Sequence, residues 1–428
     1  MNYWKMQIHP NDKKNFTQAD AIKILKYHGI VGMGRQWEND KNQPQIFSER
    51  VEIGDIILIH HDGPLALVKV KGPVFNNTNS DIWFDIAREI LVISFDGKGA
   101  QEEYTAQGFG DWKKGMFMIS TFQTANESGF IKYWYKKVRE KAMIEEYISL
   151  LTTNKNLVLT GAPGTGKTHI AFQIAKAMTG ATSDDDKRIG FVQFHPSYDY
   201  SDFVEGIKPE LVNGSVTLAV HDGIFKQFCK KAVADADGNY VFIIDEINRA
   251  ELSRVFGELF FGLEESYRGK PIKTQYSYLQ QEKAAERGET FVSFTIPKNV
   301  YIIGTMNDID RSVESMDFAL RRRFAWKEIA AEESEIIIDA STIDQSIKDQ
   351  AKKRMDALNL AILDEMGSAA YQIGGAYFKK LELYQDDSDC FGTLWKNHLE
   401  VVLFEYVRGM PRAVDMLKRM KDAYNKAQ

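Results

Sequence analysis

The chain has 428 residues, with 54 Lys/Arg against 60 Asp/Glu for a formal charge of −6, and is 44% hydrophobic and 27% charged. That balance excludes a disordered or fibrous chain, and the length predicts about three domains. The two cysteines, Cys229 and Cys390, lie far apart without metal-type spacing, which excludes a disulfide scaffold or cysteine zinc site and favours a reducing compartment.

No apolar run approaches the roughly 20 residues of a membrane span. The N-terminus, MNYWKMQIHPNDKK, carries charge where a signal peptide needs its apolar stretch. These features predict a soluble, cytoplasmic protein with no membrane contact. Residues 1–138 hold 17 Lys/Arg against 16 Asp/Glu, and the remainder is net −7. Neither part is a basic DNA coat, so nucleic acid would require a local pocket or an assembled ring.

In chain order, YWKMQI (3–8) predicts a strand and TQADAIKILKYHG (17–29) a helix stopped by Gly29. GDIILIHH (54–61) and LALVKVKG (65–72) predict two strands joined at Asp62-Gly63-Pro64, and REILVISFDG (88–97) a third. Residues 131–151 have helical spacing and lead into a second domain. From 155, strands alternate with helices, the pattern of a parallel sheet covered by helices. NLVLT (156–160), YVFIID (240–245) and VYIIGTMN (300–307) are continuous apolar runs, as strands buried on both faces require. The polar stretch 268–290 reads as an exposed insertion, and 332–428 as mostly helical.

Gly161-Ala162-Pro163-Gly164-Thr165-Gly166-Lys167-Thr168 is a complete G-x-x-x-x-G-K-[ST] between a strand and the helix THIAFQIAKAM, whose second residue, His169, is a further candidate nucleotide contact. Its glycines let backbone N–H groups approach phosphates, Lys167 reaches the β/γ-phosphates and the Thr168 hydroxyl ligates Mg²⁺. Asp245-Glu246 closes the second buried strand, which suits Asp245 to Mg²⁺ and Glu246 to activating water. Asn307, ending the third strand, is placed to orient the water or the γ-phosphate.

These residues, with FHPSYDYSDFVEGIKP (194–209), IIDEINRAELSRVFGELFFGLEE (243–265), GTMNDIDRSVESMDFALRRRF (304–324) and YQIGGAYF (371–378), resemble the McrB-type GTPases, AAA+ motors of modification-dependent restriction systems. The resemblance implies an AAA+ parallel sheet over 155–330 and a helical lid over 331–428, after a helical linker at 139–154. The Met306-Asn307-Asp308-Ile309-Asp310 element implies GTP rather than ATP, with Asn307 and Asp310 in the nucleotide site. Arg322 takes the position of an arginine finger acting on a neighbour's phosphate, with Asp317 positioning it, while Arg321 and Arg323 are candidates for ion pairs. A finger in trans implies a homo-oligomer, by resemblance a hexamer. Arg412, in GMPRAVDML (409–417), resembles the lid arginine of AAA+ proteins, with an ordinary helix-start arginine as the alternative. Cleavage would fall to a separate McrC-like nuclease subunit.

Residues 1–138 resemble the EVE/YTH-like fold, a small β-barrel that holds a modified DNA base flipped out of the helix. By the order of the runs, Trp83 and Trp37 are candidate aromatic walls and Arg35 a phosphate contact. Each tryptophan has a core role as its alternative. His60-His61 lacks a third spaced ligand, which weighs against a metal. Two rival functions stand beside this one: an ATP-driven remodelling motor of the MoxR or dynein-related kind, and a base reader whose nucleotide site only switches assembly.

Overall fold

The computed structural model describes residues 1–8, 16–34, 42–79, 81–116, 121–212, 215–309 and 318–427. The chain divides into two compact units, Met1–Met143 and Ile144–Gln428.

In the first unit, β1 (Tyr3–Gln7), β2 (Ile30–Met33), β3 (Ile56–His60), β4 (Pro64–Asn76), β5 (Ile86–Ser94) and β6 (Phe122–Thr124) pair in the order β2-β5-β4-β3-β1-β6. β1 and β3 run parallel and every other pair antiparallel. Asp62, at φ +53°, and Gly63 make the expected turn between β3 and β4. The run Ile56–Ile59 is continuously apolar because both faces of β3 are covered. Ile57 and Ile59 pack with Trp4, Phe47 and Phe122, and Ile56 and Leu58 with Trp112, Phe130 and Trp134. The buried Arg88 guanidinium donates to the carbonyls of Phe47, Ser48 and Gly72, at 3.2, 2.9 and 3.3 Å. His60 stacks near Trp112, and the His61 ring lies tilted against Phe16. Burial first, then Lys5, pushes the His60 imidazole down to about 4. Among the described residues no group of three His, Cys, Asp or Glu side chains is placed to hold a metal.

The second unit is built on β7 (Asn156–Thr160), β8 (Ile189–Gln193), β11 (Tyr240–Asp245), β12 (Val300–Thr305) and β13 (Ala325–Glu328). They form one parallel sheet in the order β13-β7-β12-β11-β8. The three apolar runs read from the sequence are its inner strands, which is why they lack polar alternation. The carboxyl ends of β7, β11 and β12 therefore lie side by side, the usual ligand edge of an open α/β sheet. A hairpin of β9 (Glu205–Val212) and β10 (Ser215–Asp222) precedes helix Ile224–Ala234. Its base is fixed by buried Lys226, paired with Glu205 and, at 3.0 Å, with Asp222.

The 268–290 stretch is less exposed than its composition predicts. Arg268 is 3% exposed, donating to Asn156 Oδ1 at 2.5 Å, and Ile272 and Thr274 are buried. From 275 to 290, a span that includes helix Ser277–Glu286, no residue is buried. Residues after 330 are mostly helical, with their own core around Met355, Leu358, Ile362, Leu403, Met420 and Tyr424. Among the described residues no helix is long and apolar enough to cross a membrane. Cys229 is buried and Cys390 half-buried, both free.

Candidate functional site

β7 ends at Thr160 and helix Lys167–Thr179 begins seven residues on, with the glycine-rich loop between them. Each glycine of that loop has a positive φ, +136° at Gly161, +80° at Gly164 and +85° at Gly166, and each has a close neighbour. A Cβ at Gly161 would lie 2.4 Å from the Ile329 carbonyl oxygen, at Gly164 2.6 Å from the Tyr377 ring, and at Gly166 2.8 Å from Ile337 Cδ1. The loop closes internally as Thr165 Oγ1 donates to the Ala162 carbonyl at 3.0 Å.

Lys167 is buried, its ammonium donating to the carbonyls of Gly161 at 3.0 Å and Ala162 at 2.9 Å. Burial pulls its pKa down to about 8, against the opposing fields of Asp308, Glu246 and Asp245. A desolvated cation held on weak carbonyl acceptors and facing carboxylates suits an anionic ligand.

Asp245 and Glu246 are held by sets of partners that meet at Thr305. Thr168 Oγ1 and Thr305 Oγ1 each donate to Asp245 Oδ1 at 2.7 Å, and Gln193 Nε2 donates to Oδ2 at 3.3 Å. Glu246 takes a left-handed backbone, φ +53°, that turns it out of the strand. Its Oε1 accepts from Asn307 Nδ2 at 2.8 Å, its Oε2 from Arg249 Nε at 3.3 Å, and its own N–H donates to Thr305 Oγ1 at 3.3 Å. Thr305 thus ties the two acidic residues together. The Thr168 hydroxyl and Asp245 carboxylate are hard oxygen donors within hydrogen-bond reach, a set that fits Mg²⁺ carried with a nucleotide and water.

The structure therefore brings together Gly161 to Thr168, Asp245, Glu246 and Asn307. His169 points to solvent on the first turn of the helix. Arg323 pairs with Glu264 at 2.8 Å, and the Arg321 guanidinium sits over the Trp326 ring, while the exposed Arg322 side chain has no hydrogen bond or ion pair among the described residues. Arg412 is exposed at φ +64°, before helix Ala413–Lys426, with no hydrogen bond or ion pair from its side chain among the described residues. Asp310, Asp317, Arg35 and Trp37 lie outside the described residues. In the first unit, Trp83 is half-buried against the core and meets Phe84 edge-on at 4.5 Å.

Sequence reasoning did not name Thr305, Gln193 or Arg249. Thr305 is the polar end of a buried strand, and Gln193 is the register partner of Asp245 across β8 and β11. Both are legible only once the strands are aligned.

Residues 156–324 match the family model for the AAA domain (dynein-related subfamily). The type IV methyl-directed restriction enzyme EcoKMcrB subunit of Escherichia coli (strain K12) is 44% identical over 186 residues, 44% of this chain and 38% of that one. The type II restriction enzyme BsuMI component YdiS of Bacillus subtilis (strain 168) is 24% identical over 309 residues, 65% of this chain and 87% of that one. The match to the E. coli protein spans well under half of its length. A solved structure of a candidate ATPase from Cytophaga hutchinsonii aligns at a TM-score of 0.29 and 15% identity over 66% of this chain and 89% of that one, which carries no argument. The second unit thus contains an AAA domain of the P-loop NTPase kind, which uses a nucleotide and Mg²⁺, and the chain is similar to restriction-enzyme subunits.

Proposed function

We propose that this chain is the GTP-hydrolysing, ring-forming motor subunit of a modification-dependent restriction system. Its domains are a reader at 1–138, a linker at 139–154, a GTPase core at 155–330 and a lid at 331–428. The reader, an EVE/YTH-like barrel, selects DNA carrying a modified base, and a separate McrC-like nuclease cuts it. The motor works in the cytoplasm as a homo-oligomer, a hexamer by resemblance.

The observation that carries this reading is the Thr168–Asp245–Thr305–Glu246–Asn307 network beside buried Lys167. Lys167 neutralises the β/γ-phosphates, and the loop N–H groups orient them. Mg²⁺, when bound with the nucleotide, withdraws charge from the phosphates; Thr168 and Asp245 are the residues that would hold it. Glu246 draws a proton from the attacking water, and Asn307 fixes the carboxylate that does so.

Arg322 supports a finger acting in trans. The Arg323 carbonyl is tied at 2.9 Å to Asn156, at the start of β7, while the phosphate loop follows its end. The five residues between them span roughly 16 Å, which favours a neighbour's loop as the target. Guanine as the base rests on the resemblance carried by the Met306 to Asp310 element. Asp310 and Asp317 enter through the resemblance alone.

The test is steady-state turnover of GTP and ATP side by side, with oligonucleotides bearing different modified bases added. GTP turnover by the parent, lost in Glu246→Gln, together with preferential binding of one modified DNA, is expected. ATP turnover alone would favour a remodelling motor.

A further inference from the structure

The segment YQIGGAYF carries part of the family likeness, yet nothing above gives it a task. It lies against the outer side of the phosphate loop. The Gly374 N–H donates to the Pro163 carbonyl at 2.9 Å and the Ala376 N–H to the Gly164 carbonyl at 3.0 Å. Between them, the Gly375 N–H donates to Ser334 Oγ at 2.7 Å, and the buried Ser334 hydroxyl donates to the Ala331 carbonyl at 2.5 Å. The segment is therefore held on one side by the loop and on the other by the start of the helical region.

The fit is backbone against backbone. A Cβ at Gly374 would lie 2.3 Å from the Gly164 carbonyl carbon and oxygen and 2.4 Å from the Thr165 nitrogen. A Cβ at Gly375 would lie 2.2 Å from the Ser334 carbonyl oxygen. None of these atoms belongs to a flexible side chain, so a substitution must displace the main chain. The Tyr377 ring covers Gly164, and the Lys380 ammonium lies 5.5 Å from the centre of that ring.

We propose that Gly374–Tyr377 is a strap through which the helical region holds the phosphate loop in its binding shape, making Gly374 and Tyr377 positioning residues for the nucleotide. The loop needs such a support. The Pro163 and Gly164 carbonyls must point away from the phosphates for the loop N–H groups to point towards them. The strap's two N–H groups receive those carbonyls from outside. Occupancy of the loop is thereby felt at residues 374–377 and, through Ser334, at the helices beyond.

The experiment uses the full chain, GTP and ATP titrated separately, and three variants: Gly374→Ala, Tyr377→Ala and Tyr377→Phe. Gly374→Ala and Tyr377→Ala are expected to weaken binding of the preferred nucleotide at least tenfold. Tyr377→Phe, which keeps the ring over Gly164, restores parental affinity. Melting without nucleotide is expected to differ little between the Tyr377 variants, which separates positioning from general destabilisation. Amide exchange over 371–378 in the parent slows when nucleotide saturates the loop. If Gly374→Ala does not fold, the tyrosine pair and the exchange measurement decide. Parental affinity in Tyr377→Ala, equal losses in both tyrosine variants, or exchange indifferent to nucleotide overturns the strap.

Discussion

Asn307 Nδ2 donates to Glu246 Oε1 at 2.8 Å, so an amide two residues past one inner strand fixes the carboxylate that follows its neighbour. A carboxylate held on one oxygen by an amide and on the other by Arg249 presents its lone pairs in one direction, as the proposed general base requires.

Glu246→Gln is therefore expected to bind nucleotide like the parent and lose roughly 10²–10⁴-fold in turnover. Asn307→Ala should lower the maximal rate with little change in nucleotide affinity, because it frees the base without touching the loop. Equilibrium binding and single-turnover hydrolysis on both variants check this. Equal rates in Glu246→Gln and parent would remove Glu246 from the chemistry.

Lys167 gives a pH dependence. In the free protein burial holds its pKa at about 8, and a bound polyphosphate raises it by opposite charge. At pH 8.5 the free side chain is mostly neutral and the bound one charged, so binding takes up a proton. Affinity should decline as pH climbs above 8, and Lys167→Met should abolish both effects along with most of the affinity. Calorimetry in buffers of different ionisation enthalpy measures the uptake; proton release on binding contradicts it.

Arg322→Ala should fold and bind nucleotide, yet lose roughly 10³–10⁵-fold in turnover if the finger completes a neighbour's site. Mixing it with Glu246→Gln should restore activity wherever an intact base faces an intact finger. Mixed assemblies without recovery count against action in trans.

Asn156 couples stability to that arm of the fold. Its buried amide donates to the Leu263 carbonyl at 2.8 Å and the Arg323 carbonyl at 2.9 Å, and its oxygen accepts from buried Arg268. Of the Asn156 oxygen and the Val300 carbonyl, both acceptors for the buried Arg268 guanidinium, Asn156→Ala leaves only the latter, and a loss of ~3 kcal/mol is expected in denaturant unfolding. Where enough protein stays folded, its turnover should fall further than its nucleotide affinity.

In the first unit, Trp83→Ala should weaken binding of modified DNA by ~1–3 kcal/mol, one base's stacking, without changing basal nucleotide turnover. Because Trp83 also packs against the core, the variant's melting curve must be compared first. A folded variant that binds modified and unmodified DNA as the parent does places the base elsewhere.

The residues readable in advance were those whose chemistry is local. The phosphate loop is a contiguous motif, and β7, β11 and β12 are continuous apolar runs because neighbours bury both faces. β8 and β13 escaped notice because they are the sheet's edges, where half-exposed runs such as IGFVQ and AWKE carry no clear period. The β9–β10 hairpin was hidden for a related reason: Ile207, Leu211 and Leu218 are exposed, so hydrophobicity does not mark burial there. Arg268 inverted the usual reading of charge, since its guanidinium is satisfied by Asn156 and the Val300 carbonyl inside the unit. Partners from distant positions, such as Thr305 for Glu246 or Gly374 for Pro163, follow from topology that no local pattern encodes.

The packing of Gly374 on Gly164 also limits how such chains can be recombined. A side chain gained at 374 meets main-chain atoms, so no trimming of a neighbouring residue can make room for it. Variation at this contact has no second-site remedy among residues 163–165. A hybrid that takes its helical region from one relative and its sheet from another must therefore carry residues 161–168 and 371–378 as one block, however distant they are in the chain.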